Sequence, residues 1–277
     1  MGIKFGCHGY TWQMSYEQHK DELPHILSVI EEGGFKGLDT QVAMLGRFYD
    51  HPLKLKEEMQ HRNLELAALT LSLSWRETEE TDEERRLADY FIGYLANFPN
   101  ALLNVVPTPG RNRDGLAERQ RNIINCVNSL AKRAQDHGIV CSFHPNSPPG
   151  SVFRTKEDYE LLFDGLDTRV IGYTPDAGHI ACGGMDAAEI IETYSSLIKH
   201  VHFKDASADD VWKAMGEGVI DFPRIVRHLR DTGYNGWIMV EEESEKAVAD
   251  PDGAMMENSK YVKEQLIPIV QQGAIGN

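Results

Sequence analysis

Eight short apolar runs recur along this chain, each ending in polar residues and followed by a longer segment of helical period. They are Ile3–Tyr10, Gly37–Thr40, Glu65–Leu71, Ala101–Val106, Ile139–His144, Val170–Thr174, His200–Lys204 and Trp237–Glu241. Between them apolar residues return at three- and four-residue steps. Examples are Ile123, Ile124, Val127, Leu130, Ala131 and Ala134, then Ile190, Ile191, Tyr194, Leu197 and Ile198, then Phe222, Ile225, Val226 and Leu229. Glycines stand before several of the runs, at Gly33-Gly34, Gly138, Gly233 and Gly236, where helices are expected to end. A strand that alternates with a helix must pair in parallel, because the helix returns the chain to the same edge. Eight such units in 277 residues match the size of a (β/α)₈ TIM barrel. A doubly wound open sheet would carry a Gly-rich phosphate loop after an early strand, and no such loop is present. No composition shift or Pro/Ser-rich linker divides the sequence, so a single TIM-barrel domain over residues 1–277 is expected. The acidic stretch Glu77–Arg86 reads as a solvated helix start, and Pro107–Gly115 as a long loop on the C-terminal face of the barrel.

Composition restricts the partners. The net charge is −15, from 28 Lys plus Arg against 43 Asp plus Glu. A nucleic-acid binder needs a positive surface to displace counterions, and no Lys/Arg run exceeds two residues. The carboxylate surplus also supplies hard oxygen ligands for a divalent metal. Cys7, Cys126, Cys141 and Cys182 form no CxxC pair, so buried thiols in a reducing compartment are expected rather than a disulfide framework or zinc ribbon. The N-terminal MGIKFGCHGYTWQ lacks the features of a signal peptide, and no apolar stretch reaches the roughly 18 residues of a membrane span. A soluble cytoplasmic protein without a membrane partner is expected.

Side chains on a strand alternate between two faces. On the run His200-Val-His-Phe-Lys204, Val201 and Phe203 suit the outer face beneath the helices, which turns His200, His202 and Lys204 inward. Charge there is costly unless it meets a metal, a ligand or a partner. On Trp237–Glu241 the same period places Met239 and Glu241 inward. The fifth run leaves His144 inward, and the sixth ends in Thr174-Pro-Asp176-Ala-Gly-His179. One histidine at a strand end is usually structural. Here four consecutive strands present His144, Asp176, His202 and Glu241 at the same end. Two imidazoles and two carboxylates form a mixed N/O set suited to Mn²⁺, Fe²⁺, Co²⁺ or Zn²⁺, with Mg²⁺ disfavoured.

These residues also carry a family resemblance. The stretches SFHPNSPPGSVFRT (142–155), YTPDAGHIACGG (173–184), IKHVHFKD (198–205), GEGVIDF (216–222) and GYNGWIMVEEE (233–243) resemble the xylose isomerase-like barrel superfamily of sugar isomerases, epimerases and dehydratases. Within it the chain is most similar to inosose dehydratases. The N-terminal half matches only through its strand-helix rhythm and the G-F-x-G of Gly34–Gly37. The resemblance implies one divalent metal, Mn²⁺ or Co²⁺ favoured, on Asp176, His202 and Glu241. The fourth ligand position departs from the family: sugar epimerases have a Glu there, and this chain has His144. That departure weighs against a two-glutamate epimerase and is compatible with a dehydratase-type site.

The implied substrate is an unphosphorylated keto-inositol or related keto-sugar, dehydrated through an enolate. His144, Glu241 and Lys204 are the expected catalytic residues, with Glu243 a further acid/base candidate. His179, Glu243, Trp12 and Trp75 are expected to bind substrate, the tryptophans as apolar walls together with Trp212. Gly216 and Gly218 precede a helix whose cap is Asp221, an unfavourable place for an anion, which argues against a phosphorylated substrate. The competing functions are a keto-sugar isomerase or epimerase, elimination from a 3-keto glycoside, a DNA-repair endonuclease and a non-catalytic sugar-binding barrel. The endonuclease would need a trinuclear metal cluster and a basic groove. The expected partners are the small molecule and, at most, further copies of the chain in a homo-oligomer.

Overall fold

The structure is a computed structural model describing residues 2–272. Eight parallel strands form one curled sheet: Lys4–His8, Gly37–Gln41, Glu65–Leu73, Leu102–Pro107, Cys141–Phe143, Ile171–Tyr173, Val201–Phe203 and Trp237–Val240. The first pairs with both the second and the eighth, and bridges at Tyr173–Ile198 and Asp176–His202 join the sixth to the seventh. Helices lie between the strands, giving a (β/α)₈ barrel. Each of the eight strands falls within or next to a run that the apolar pattern marks. No helix of the described residues is long and apolar enough to cross a membrane.

The helices follow from their sequences. Leu116–Asp136 buries Ile123, Ile124, Val127, Leu130, Ala131 and Ala134, and Phe222–Asp231 buries Phe222, Ile225, Val226 and Leu229. The acidic stretch opens helix Asp82–Leu95 with a capping box: Thr81 Oγ1 accepts from the Glu84 N–H, and the Glu84 carboxylate accepts from the Thr81 N–H. Thr81→Ala is expected to destabilise the fold by about 1 kcal/mol, measured by urea unfolding. Helix Leu23–Gly33 ends on Gly34 at φ 78°, a left-handed conformation that costs glycine nothing. One periodic segment departs from expectation. The pattern from Ile190 to Ile198 is not one helix: Ala187–Thr193 stops at Tyr194, a 3₁₀ turn spans Ser195–Leu197, and Ile198 bridges to Tyr173. Thr193 Oγ1 donates back to the Glu189 carbonyl there, and the serines that follow favour turns over helix. All four cysteines are buried and free.

The lower half of the barrel interior is apolar. Ala67, Trp237 and Met239 pack together there. They fit because Gly6 and Gly37 face them: a Cβ on Gly6 would lie 2.5 Å from Met239 Cε, and one on Gly37 2.6 Å from the Trp237 ring. Gly37→Ala is therefore expected to cost about 1–3 kcal/mol through overpacking, read from the midpoint of denaturant unfolding. This apolar plug floors the upper half, where the charged residues gather.

Candidate active site

The strand ends open into a cavity of about 730 Å³, lined by His8, His144, His179, His202, Glu241 and Glu243 among others. Strand alternation delivers them. Val201 and Phe203 are buried on the helix side, while His200, His202 and Lys204 turn inward. Asp176 arrives by a different local device. It caps the short helix Ala177–Cys182, its Oδ1 accepting from the His179 N–H at 2.9 Å, which leaves Oδ2 free for the cavity floor.

All four sequence-predicted ligands come together. His144 Nε2 lies 3.5 Å from Asp176 Oδ2, and His202 Nδ1 lies 3.7 Å from Glu241 Oε2. The two imidazole rings are 4.8 Å apart between centroids. Lys204, only 1 % exposed, joins the two pairs. Its Nζ is 3.4 Å from Asp176 Oδ2, 3.0 Å from Glu241 Oε1, 2.5 Å from Glu243 Oε1 and 3.2 Å from His179 Nε2. His179 is also held through Nδ1 by the Ser147 hydroxyl at 2.8 Å.

Two expected substrate contacts do not line this cavity. Trp12 is fully buried, drawn away by a 2.7 Å hydrogen bond from its Nε1 to Asp252 of helix Pro251–Tyr261. Trp75 is also fully buried; its backbone N–H donates to Glu84 and its side chain packs in the core. Trp212 does line the cavity, its ring 4.8 Å from Lys204 Nζ and edge-on to His179 at 5.5 Å. It sits on a small antiparallel hairpin, Asp205–Ala206 with Trp212–Lys213, which the sequence pattern does not mark. The loop that follows settles the role of its glycines. The N–H groups of Gly216 and Gly218 donate to Asp205 Oδ2 at 2.9 and 3.0 Å, and Asp221 caps the next helix through Arg224 N–H. Those donors are committed to a carboxylate of the protein itself.

Two residues of the cluster were not singled out from the sequence. His8 ends the first strand with Nδ1 3.1 Å from Glu241 Oε2 and Nε2 3.6 Å from Asp39 Oδ1. Asp39, fully buried on the second strand, accepts from His200 and His202. The period-two rule that picks out His202 finds both, since it turns Gly6 and His8, and Gly37 and Asp39, to the same inner face.

Electrostatics set the protonation states. Burial opposes ionising Asp176 and Glu241, but Lys204 and the adjacent histidines outweigh it and hold both well below the usual carboxylate range. Burial likewise works against charge on Lys204, and Asp176, Glu241 and Glu243 reverse it, keeping the ammonium protonated. Burial pushes Glu243 up to about 7, with Lys204 opposing and Glu241 adding to the rise. Burial lowers His202 to about 4 against the pull of Asp39, and burial together with Lys204 lowers His179 to about 3. Both rings are neutral near pH 7.

The donor set fits a divalent ion. Asp176 Oδ2 and His202 Nδ1 are buried without a hydrogen-bond partner. Such atoms are rare in native structures, and one explanation is an ion. A neutral imidazole whose other nitrogen is held by a carboxylate is the usual form of a metal-bound histidine. Among the described residues three compact groups of possible ligands occur: His8, His202 and Glu241; Asp39, His200 and His202; and His144, Asp176 and His179.

Comparison with known proteins agrees with the architecture. The xylose isomerase-like TIM barrel family matches residues 27–265. An inosose dehydratase of Bacillus velezensis is 28 % identical over 273 residues, covering 88 % of this chain and 89 % of that protein. Among solved structures, the probable 3-DHS dehydratase AsbF of Bacillus anthracis aligns with a TM-score of 0.77 at 15 % identity, over 95 % of this chain and 99 % of that one. The IOLI protein, solved with a zinc atom, aligns at 0.75 and 15 % identity, over 97 % and 98 %. At these identities the two structures speak to the fold.

Proposed function

The chain belongs to the xylose isomerase-like TIM barrel family, and within it we propose a metal-dependent dehydratase of a keto-inositol or related unphosphorylated keto-sugar. The observation that carries this reading is the pair of buried ligand atoms without a hydrogen-bond partner, Asp176 Oδ2 and His202 Nδ1, beside Glu241 and His144. Similarity to an inosose dehydratase over 88 % of this chain supports the choice of reaction. The commitment of the Gly216 and Gly218 N–H groups to Asp205 supports a substrate without phosphate.

Asp176, His202 and Glu241 would hold the ion, which leaves the lone pair of His144 for proton transfer. When bound it supplies Lewis-acid polarisation of the substrate carbonyl. The remaining chemistry belongs to side chains. His144 removes the proton from the carbon next to the carbonyl. The protonated Lys204 stabilises the negative oxygen of the resulting enolate; a cation already fixed in place needs no reorganisation as charge develops. Glu243, with its affinity for protons raised to about 7, gives a proton to the hydroxyl leaving the β-carbon. The C–H and C–O bonds break, a C=C bond forms, and water departs. His179 and Trp212 flank the ring of the substrate.

An absorbance assay tests the reaction. A keto-inositol is expected to give an enone or diketone absorbing in the ultraviolet, with the signal lost on chelation and restored by Mn²⁺ or Co²⁺. An unchanged spectrum together with a new stereoisomer would identify an epimerase on the same enolate. Full turnover by metal-free protein would end the proposal.

A further inference from the structure

We propose that Asp39 is a positioning residue of this site, fixing the tautomer and ring orientation of His202 so that Nδ1 is presented as a lone-pair donor. The purpose assigned to that donor rests on the metal-dependent reading above; the tautomer itself does not.

Asp39 Oδ2 lies 2.9 Å from Nε2 of His202 and 2.9 Å from Nε2 of His200. An ionised carboxylate only accepts hydrogen bonds, so each imidazole donates from Nε2. A neutral imidazole with its proton on Nε2 carries its lone pair on Nδ1. In His202 that atom is buried, has no hydrogen-bond partner and stands 3.7 Å from Glu241 Oε2. The opposite tautomer would take the donor away from Asp39 and leave a fully buried carboxylate short of a partner.

The carboxylate is itself held in place. Thr70 Oγ1 donates to Asp39 Oδ1 at 2.9 Å, and Asn104 Nδ2 donates to Thr70 Oγ1 at 3.2 Å. Asn104 thereby occupies an acceptor site on the hydroxyl and directs its proton to Asp39. The chain Asn104–Thr70–Asp39–His202 crosses from the fourth strand to the second and on to the seventh. It runs through the barrel interior, where solvent does not compete for these groups. A carboxylate behind a histidine in this way sets which nitrogen is free and how the ring is turned.

The test combines ¹⁵N spectra of the histidine rings at neutral pH with metal affinity measured by chelator competition, on wild type and Asp39→Asn. Wild type is expected to show His202 protonated at Nε2 and unprotonated at Nδ1 before any metal is added. Asp39→Asn can set its amide N–H against the ring, so loss of that tautomer and a fall of about 10- to 100-fold in Mn²⁺ or Co²⁺ affinity are expected. A merely structural role would leave the tautomer of a folded variant unchanged. The wild-type spectrum decides the matter even where Asp39→Asn does not fold, since a proton on Nδ1 of His202 overturns the inference. A folded Asp39→Asn with wild-type affinity and tautomer also overturns it. Wild-type protein with the expected tautomer but no metal uptake overturns the metal reading, and with it the purpose given to Asp39.

Discussion

Asp176→Asn is expected to lower kcat by about a thousandfold, near 4 kcal/mol at ~1.4 kcal/mol per decade, and to leave purified protein with far less than stoichiometric metal. The substitution is chosen because Asp176 does two separable things. Its Oδ1 caps helix Ala177–Cys182, and its Oδ2, which has no hydrogen-bond partner, is the oxygen of the proposed ligand set. Asparagine caps a helix as well as aspartate does, so the local fold survives. It cannot supply the second anionic oxygen, so the loss falls on the ion and on the balance with Lys204. Circular dichroism should match wild type while metal analysis and turnover do not. Wild-type turnover by this variant would remove Asp176 from the reaction.

Lys204→Met is expected to show the larger effect on stability. The ammonium is buried among Asp176, Glu241 and Glu243 at 3.4, 3.0 and 2.5 Å. Methionine keeps the volume and removes the charge, leaving buried carboxylates facing one another. Breaking a buried pair from one side costs about 3–5 kcal/mol. For a chain of this size that is roughly a 10 °C fall in the unfolding temperature of metal-free protein. A divalent cation at the same carboxylates replaces the missing positive charge, so Mn²⁺ should restore more stability to the variant than it adds to wild type. The two effects separate Lys204 as counter-charge from Lys204 as a group stabilising the enolate: stability returns with metal, whereas turnover stays low. An unfolding temperature equal to wild type would show that the carboxylates are balanced by something else.

The barrel and most of the site are legible in the sequence because both obey short periods. Val201 and Phe203 mark the outer face of the seventh strand, and His200, His202 and Lys204 must then lie inside. The same rule gives Met239 and Glu241 on the eighth. His8 and Asp39 obey it too, yet a histidine and an aspartate in isolation draw no notice until the neighbours across the barrel are known. Trp12 and Trp75 show where the period stops helping. Both lie outside the strands: the side chain of Trp12 is held by Asp252, distant in sequence, and the backbone of Trp75 by Glu84, nine residues on.

The sequence by itself determined the alternation of strand and helix, the end of the barrel where charge collects, and four residues that meet there. A local repeat dictates these things, because a pleated strand fixes the face of each side chain and a crossover helix fixes the direction of the next strand. Only the tertiary structure decided how those residues are connected. It placed Lys204 among three carboxylates, spent one oxygen of Asp176 on a helix cap, and put Asp39 behind His202 from across the barrel. Which atoms stay free depends on distances between residues as far apart as 39 and 202, and only a closed barrel brings them together.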